Sequence, residues 1–191
     1  QMKLSKKYFQ QEDVVFLAKD LVGKLLLTEI NGIRTGGIIT ETEAYSEIER
    51  GCHAYNKRKT ERTKIMFDAG GLAYVYLCYG IHHLFNIVTG SKDIAQAVLI
   101  RSISPTIGVD EILRRRKKIR MDKNLCNGPG KVCQALGITK SHNGIELTGN
   151  NVWIEQSAFD LPESQITATP RIGIEYAEND KWLPWRFLLT V

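Results

Sequence analysis

Residues 24–45 read KLLLTEINGIRTGGIITETEAY, two β-prone runs separated by Asn31-Gly32. That dipeptide is the strongest local constraint in the chain. A two-residue type I′ turn needs positive φ at both central positions, which Asn and Gly tolerate best, and its twist matches the strands it joins. It predicts an antiparallel hairpin and not the crossover of a parallel sheet. The second run alternates. Ile39, Glu41, Glu43 and Tyr45 fall on one face, and Ile38, Thr40, Thr42 and Ala44 on the other. A carboxylate, Glu43, thus shares a face with the Tyr45 ring in a strand that is otherwise apolar and threonine-rich.

Similar reasoning extends along the chain. Residues 11–22, QEDVVFLAKDLV, predict a helix with Val14, Leu17, Leu21 and Val22 on one face and Asp13 as its cap. Residues 46–66 form a long basic connection. LAYVYLCYG (72–80) reads as a strand ending at Gly80, with LFNIVTG as its partner. AQAVLIRSISP (95–105) is a further apolar strand, read as ending at Arg101. TIGVDEILRRRKKI predicts a helix capped by Thr106, and NGPGKVCQALGI a helix starting at Pro129 or Gly130. In the tail, NNVWIEQ, TPRIGIEY and WRFLLTV all read as strands. No regular βαβα alternation appears. The expected class is α+β: at 191 residues, a single mixed domain (1–191) with a curved, mostly antiparallel sheet flanked by a few helices.

Composition narrows the function. No run of about 18 apolar residues is present, so no spanning helix and no membrane partner is expected. The N-terminal residues lack the apolar stretch of a secretory signal. Cys52, Cys78, Cys126 and Cys133 show neither C-x-x-C nor zinc-finger spacing. They read as reduced thiols of a cytoplasmic protein without a metal site. The net charge of +5 is unevenly spread. Residues 50–64 carry +5 and residues 114–123 carry +6, leaving −6 on the rest of the chain. Clustered Lys and Arg fit either two solvated faces or a footprint for a polyanion, because they displace counterions condensed on phosphates.

Several features bear on chemistry. Tyr74 and Tyr76 share a strand face, and Tyr79 stands beside the Gly80 bend. Three rings next to a basic segment describe either core and rim aromatics or a base-stacking platform. Glu43 is either a solvated edge residue or a general base for a water. Arg101, in an apolar strand, needs a partner, and Glu43 is a candidate. NGPGK could offer backbone N–H groups and Lys131 to a phosphate or could simply start a helix, but it lacks Walker spacing. His53 in the basic connection carries little signal alone.

Together the residues resemble a family. ETEAY (41–45), His53, MF (66–67), YVYLCYG (74–80), Asn86, AVLIRSISP (97–105) and NGPGKVCQAL (127–136) occur in the order seen in the alkyladenine (3-methyladenine) DNA glycosylases, compact bacterial type. The resemblance runs from about residue 4 to the C-terminus. It implies base-excision repair by a monofunctional enzyme. That enzyme would flip alkylated or deaminated purines out of double-stranded DNA and hydrolyse the N-glycosidic bond with water, without cofactor, metal or Schiff base. The expected substrates are 3-methyladenine and 7-methylguanine, with hypoxanthine and etheno-adenine as further candidates. By this resemblance Glu43 is the general base and Arg101 helps hold the water. Tyr45, His53 and Tyr76 wall the flipped base, Asn86 stands at the pocket floor against guanine, and the Ile172 carbonyl completes the water site. Tyr79 would fill the gap in the duplex. Lys57, Arg58, Lys59, Arg62, Lys64 and Lys131 would contact the DNA backbone. The 114–123 cluster, His82 and His83 receive no role. The expected form is a monomer acting on the bacterial chromosome in the cytoplasm. The alternatives are a non-catalytic protein that binds damaged DNA and a nucleoside hydrolase, for which the basic segments would have no use.

Overall fold

The computed structural model describes residues 2–157 and 161–190. A one-turn helix α1 (Lys6–Phe9) precedes α2 (Val14–Leu21). Asp13 caps α2 by accepting the Phe16 N–H at 2.9 Å, and Val14, Leu17, Ala18 and Leu21 form its buried face. The Asn31-Gly32 turn, with φ values of 54° and 76°, joins β1 (Leu25–Ile30) to β2 (Ile33–Ser46) in the expected hairpin.

The remaining strands are β3 (Ala73–Cys78), β4 (His82–Val88), β5 (Gln96–Ile107), β6 (Val152–Glu155), β7 (Ile166–Thr169) and β8 (Arg186–Leu189). Helices α3 (Val109–Arg116) and α4 (Pro129–Leu136) follow β5. The eight strands form one sheet in the order β3-β4-β5-β2-β1-β6. Every pairing among the described residues is antiparallel. β2 is long enough to serve two neighbours on one edge. It pairs with β1 through Ile38 and with β8 from Glu41 to Glu43, and β7 pairs with β8.

Alternation divides the central strands between two faces. Val75, Phe85, Ile87, Val98, Ile100 and Ala44 pack with the apolar sides of α2 and α4 in the main core. Tyr74, Tyr76, Val88, Ala97 and Tyr45 look the other way, against Cys52, Ala54, Met66 and Phe67 of the 46–67 connection. That connection forms two short 3₁₀ turns, at Tyr55–Lys57 and Lys64–Phe67. The helices therefore support one face of the sheet and leave the other for a site.

Several expectations need correction. Ile39 does not share a face with Glu43 but lies in the helix-side core. The β2–β5 register slips between Ile39 and Glu41 and slips back between Glu41 and Thr42, leaving Thr40 as an extra residue in β2 and Arg101 as one in β5. A bulge reverses the parity of every residue beyond it and re-aims side chains locally. For the same reason Arg101 is not a strand end. β5 continues through Ile107, and Pro105 is accommodated at a third irregularity, opposite Gly36/Gly37. Thr106 does not cap α3, which begins after Gly108 at φ 64° with no side-chain cap. The tail segment TPRIGIEY is not a strand. The strand lies earlier, as β7, and residues 175–182 form 3₁₀ turns. Val191, in the last predicted strand, lies outside the described residues.

Among the described residues no helix is long and apolar enough to cross a membrane. The four cysteines are free. Burial holds the Cys52 and Cys133 thiols up to about 12 and Cys126 to about 11.

Candidate active site

The open face of the sheet carries a cavity of about 340 Å³, within the size range of small-molecule sites. Its floor and walls come from alternate residues of four strands: Glu43 and Tyr45 from β2, Tyr74, Tyr76 and Cys78 from β3, Leu84 from β4, and Leu99 and Arg101 from β5. The 46–67 connection adds Gly51, His53, Arg62 and Met66, and the tail loop adds Ile172, Gly173, Ile174 and Tyr176. Tyr79 stands at the rim.

Glu43 is 0 % exposed and held by three donors. Its Oε1 accepts the Tyr45 hydroxyl at 3.2 Å and Arg101 Nη1 at 3.1 Å, and its Oε2 accepts the Ile172 N–H at 2.7 Å. Ile172 thus meets the glutamate through its N–H, where the resemblance implied its carbonyl. Burial raises its pKa above the usual carboxylate value, while Arg101, the Ile172 N–H and the Tyr45 hydroxyl pull it back. A carboxylate so placed is oriented and available for a proton, which is what a general base requires. Behind it, Arg101 Nε donates to Glu41 Oε1 at 2.8 Å, and Arg186 Nε donates to the same oxygen at 2.6 Å. Arg101 shares the cavity face with Leu99, and the expectation that it partners Glu43 holds, with Glu41 as a second partner.

The rings form a connected wall. His53 Nδ1 lies 3.3 Å from the Tyr74 hydroxyl. The His53 and Tyr76 rings meet edge to face at 5.1 Å, and Tyr74 and Tyr76 are 5.2 Å apart. His53 opens to solvent through the cavity, yet the surrounding protein and the Arg62 charge push its pKa down to about 4, so it is neutral near pH 7. Burial raises the Tyr45 and Tyr76 phenols above their ordinary value. Electron-rich, uncharged rings above a buried carboxylate suit a planar, cationic heterocycle.

Tyr79 sits differently. It is 92 % exposed, at the tip of the β3–β4 turn, with φ 51° beside Gly80 at φ 69°. A bulky residue with positive φ is uncommon, and this one buries almost nothing, so packing does not explain it. Asn86 does not line the cavity. It is buried opposite Tyr74 and Leu99 on the same sheet face, and its Nδ2 donates to the Tyr74 carbonyl at 3.2 Å.

The basic residues separate into groups. Lys57, Arg58, Lys59, Arg62 and Lys64 are exposed on the connection that borders the cavity. Lys64 pairs with Glu61 at 2.7 Å and Lys59 lies over the Phe67 ring. Lys131 donates to Asn127 Oδ1 at 2.7 Å near the start of α4 and does not line the cavity. The 114–123 cluster is partly spent inside the fold. Arg115 binds Glu111, Thr35 and the Ala135 carbonyl, and Arg116 binds the Leu125 carbonyl and Gln134.

Three features escaped the sequence reading. Arg171 and Glu49 form a bidentate pair, at 2.8 and 2.7 Å, with side chains 0 % and 3 % exposed. Arg171 also donates to the Ala44 and Asp180 carbonyls and lies over Tyr45 and Trp185. This pair fixes the tail loop, and with it the Ile172 N–H, to the end of β2. Tyr176 adds a second tie through its hydroxyl to the Gly51 carbonyl at 2.8 Å. Arg62 leans into the cavity over Tyr76 at 4.3 Å. None of these carries a local pattern, because each depends on contacts between segments far apart in sequence.

Comparison with known proteins places this sequence in a family. Residues 8–191 match the methylpurine-DNA glycosylase family. The chain is 50 % identical over 190 residues to a protein of Chlamydia felis, covering 98 % of this chain and 96 % of the relative. It is 49 % identical to one of Chlamydia abortus, covering 98 % of each, and 44 % identical over 188 residues to one of Bacillus cereus, covering 94 % and 92 %. All three are provisionally named as 3-methyladenine DNA glycosylases. With the match running through both strands that carry Glu43 and Arg101 and through the tail loop that closes the cavity, this chain belongs to the methylpurine-DNA glycosylase family.

Proposed function

We propose that this DNA glycosylase flips an alkylated purine from duplex DNA into the cavity and releases it with a water activated by Glu43. The observation that carries the reading is the buried, triply hydrogen-bonded Glu43 at the base of an aromatic cavity. Extrusion costs least at a damaged or mismatched base. Stacking on Tyr45, Tyr76 and His53 returns part of that cost, roughly 1–3 kcal/mol per base stacked.

In the bond-breaking step the C1′–N9 bond of the nucleotide opens and its electron pair goes to the purine. A cationic 3-methyladenine or 7-methylguanine thereby leaves as a neutral base. The water oxygen bonds to C1′, and Glu43 takes the water proton. The Glu43 carboxylate also faces the positive charge that develops on the sugar. Arg101, tied to Glu41, keeps the carboxylate aimed, and the Ile172 backbone closes its other side. Asn86, buried opposite Tyr74 and outside the cavity lining, supports the floor through the Tyr74 carbonyl and does not itself face the base. Basic residues of the 57–64 connection meet the phosphates without reading sequence. Hypoxanthine and etheno-adenine are further candidate substrates, although as neutral bases they need more help in leaving.

The test is incubation of the protein with methylated duplex DNA. Free 3-methyladenine and an unnicked strand carrying an abasic site are expected. A covalent adduct trapped by borohydride would mean an amine nucleophile and would contradict the water mechanism. Tyr79→Ala should weaken the hold on the flipped state while leaving the Glu43 network formed. We expect binding to an abasic-site duplex to fall about 5- to 150-fold, for the loss of one stacking contact of that size. An unchanged dissociation constant would remove Tyr79 from the duplex.

A further inference from the structure

The geometry points to Arg62 as a displaceable stopper of the base cavity, one that makes a neutral purine harder to admit than a cationic one. The inference rests on the glycosylase reading above and adds a specificity-determining residue to it.

Four observations carry it. First, the guanidinium lies over the Tyr76 ring at 4.3 Å from its centroid, inside the cavity lining. That is stacking range, so Arg62 covers aromatic surface that an arriving base would need. Second, it reaches past Tyr76 towards its neighbours. Its charge opposes the rise of the Tyr74 phenol, which burial takes to about 12, and contributes to the depression at His53. Third, its tether is uncharged: the Tyr76 ring face and a side-chain hydrogen bond to Tyr74 hold it. Among the described residues no carboxylate forms an ion pair with Arg62, and the adjacent Glu61 is taken by Lys64 at 2.7 Å. Fourth, the backbone beneath it is fixed. Thr60 and Thr63 exchange hydrogen bonds at 2.9 and 3.1 Å, and Thr63 Oγ1 donates to the Arg58 carbonyl at 2.9 Å. The side chain can therefore swing while its anchor stays in place, and phosphates beside the cavity offer it a bidentate partner.

The consequence is a competition for one ring face. A cation over an aromatic ring is held by the ring quadrupole, an attraction that a neutral purine lacks. An alkylpurinium replaces one cation with another. Hypoxanthine or an undamaged purine must displace the cation and supply only stacking in return. Arg62 thus acts before any hydrogen bond to the base edge is formed.

The experiment uses duplex oligonucleotides carrying a single 7-methylguanine or a single hypoxanthine. Single-turnover release from each is compared for wild type, Arg62→Ala and Arg62→Lys. In Arg62→Ala the preference for 7-methylguanine over hypoxanthine should fall by roughly 2- to 30-fold, or hypoxanthine release should appear where wild type shows none. Arg62→Lys, a point charge that stacks less well, should lie between. If both rates fall together and the preference is fixed or rises, Arg62 is a backbone contact only and the stopper is overturned. If wild type releases neither base nor 3-methyladenine, the glycosylase reading fails and the stopper with it.

Discussion

Glu43→Gln should slow release of 3-methyladenine by about 10²- to 10⁴-fold, the range typical of a lost general base, while the protein still binds an abasic-site duplex. The amide keeps the shape of the carboxylate but offers a single acceptor oxygen, so it can accept from the Ile172 N–H or from Arg101 and not from both, and it cannot take a proton from water. Folding should not suffer. The carboxylate is fully buried, and burial raises its pKa. A group whose pKa rises on folding stabilises the protein most below its unfolded pKa, and that contribution is lost as pH climbs through the folded value. Above its folded pKa the ionised Glu43 is therefore a cost to stability that a neutral replacement removes, while the amide NH2 turned towards a donor takes part of that gain back, so the melting temperature should stay close to wild type. Thermal melts beside release assays test both halves. A variant that is slow and also unfolded would leave the carboxylate with a structural role.

Arg171→Met should be the most damaging single change to stability, at about 3–5 kcal/mol, because it strands a buried carboxylate. Glu49 is 3 % exposed at its side chain and receives both Arg171 Nη groups. It would keep only the Ser46 and Gly51 N–H groups, at 3.3 and 2.7 Å. The melting temperature should fall by roughly 6–20 °C for a chain of this size. The double variant Arg171→Met/Glu49→Leu should recover part of the loss, since it leaves no buried charge unpaired, and only part, because the Ser46 and Gly51 N–H groups lose their acceptor. The pair also holds the loop that presents the Ile172 N–H to Glu43, so activity in folded Arg171→Met should fall as well. A melting temperature within a degree or two of wild type would show that the pair is dispensable.

What the sequence made legible was local. Asn31-Gly32 carries its turn in its own backbone preferences, and the Tyr74/Tyr76 and Glu43/Tyr45 faces follow from the two-residue period of a strand. The illegible parts were those where distant segments overrule that period. Ile39 changed face, and β5 ran on past Arg101, where paired bulges in β2 and β5 offset the register twice, and a single strand cannot announce a bulge that its neighbour imposes; the Arg101–Glu43 partnership itself was legible. The tail was read as a strand from its apolar alternation, yet Arg171 pulls it into a loop through Glu49, 122 residues away. Thr106 looked like a cap because capping chemistry is common in threonine, whereas the helix start was set by the left-handed turn at Gly108. Arg62 counted as one of a run of surface charges, and only the packing of the connection against β3 brings it over Tyr76. Glu43 was singled out by a different route. A carboxylate in an apolar strand is a local conflict, and such conflicts gather at functional sites.

The most direct test of the account is the pH dependence of single-turnover release from a duplex carrying 7-methylguanine, measured for wild type and Glu43→Gln together. The wild-type rate should fall on the acid side with an apparent pKa above the ordinary carboxylate range, because burial raises Glu43, and Glu43→Gln should be slow and show no such limb. Equal rates, or the same acid limb in both proteins, would contradict it and place the base elsewhere.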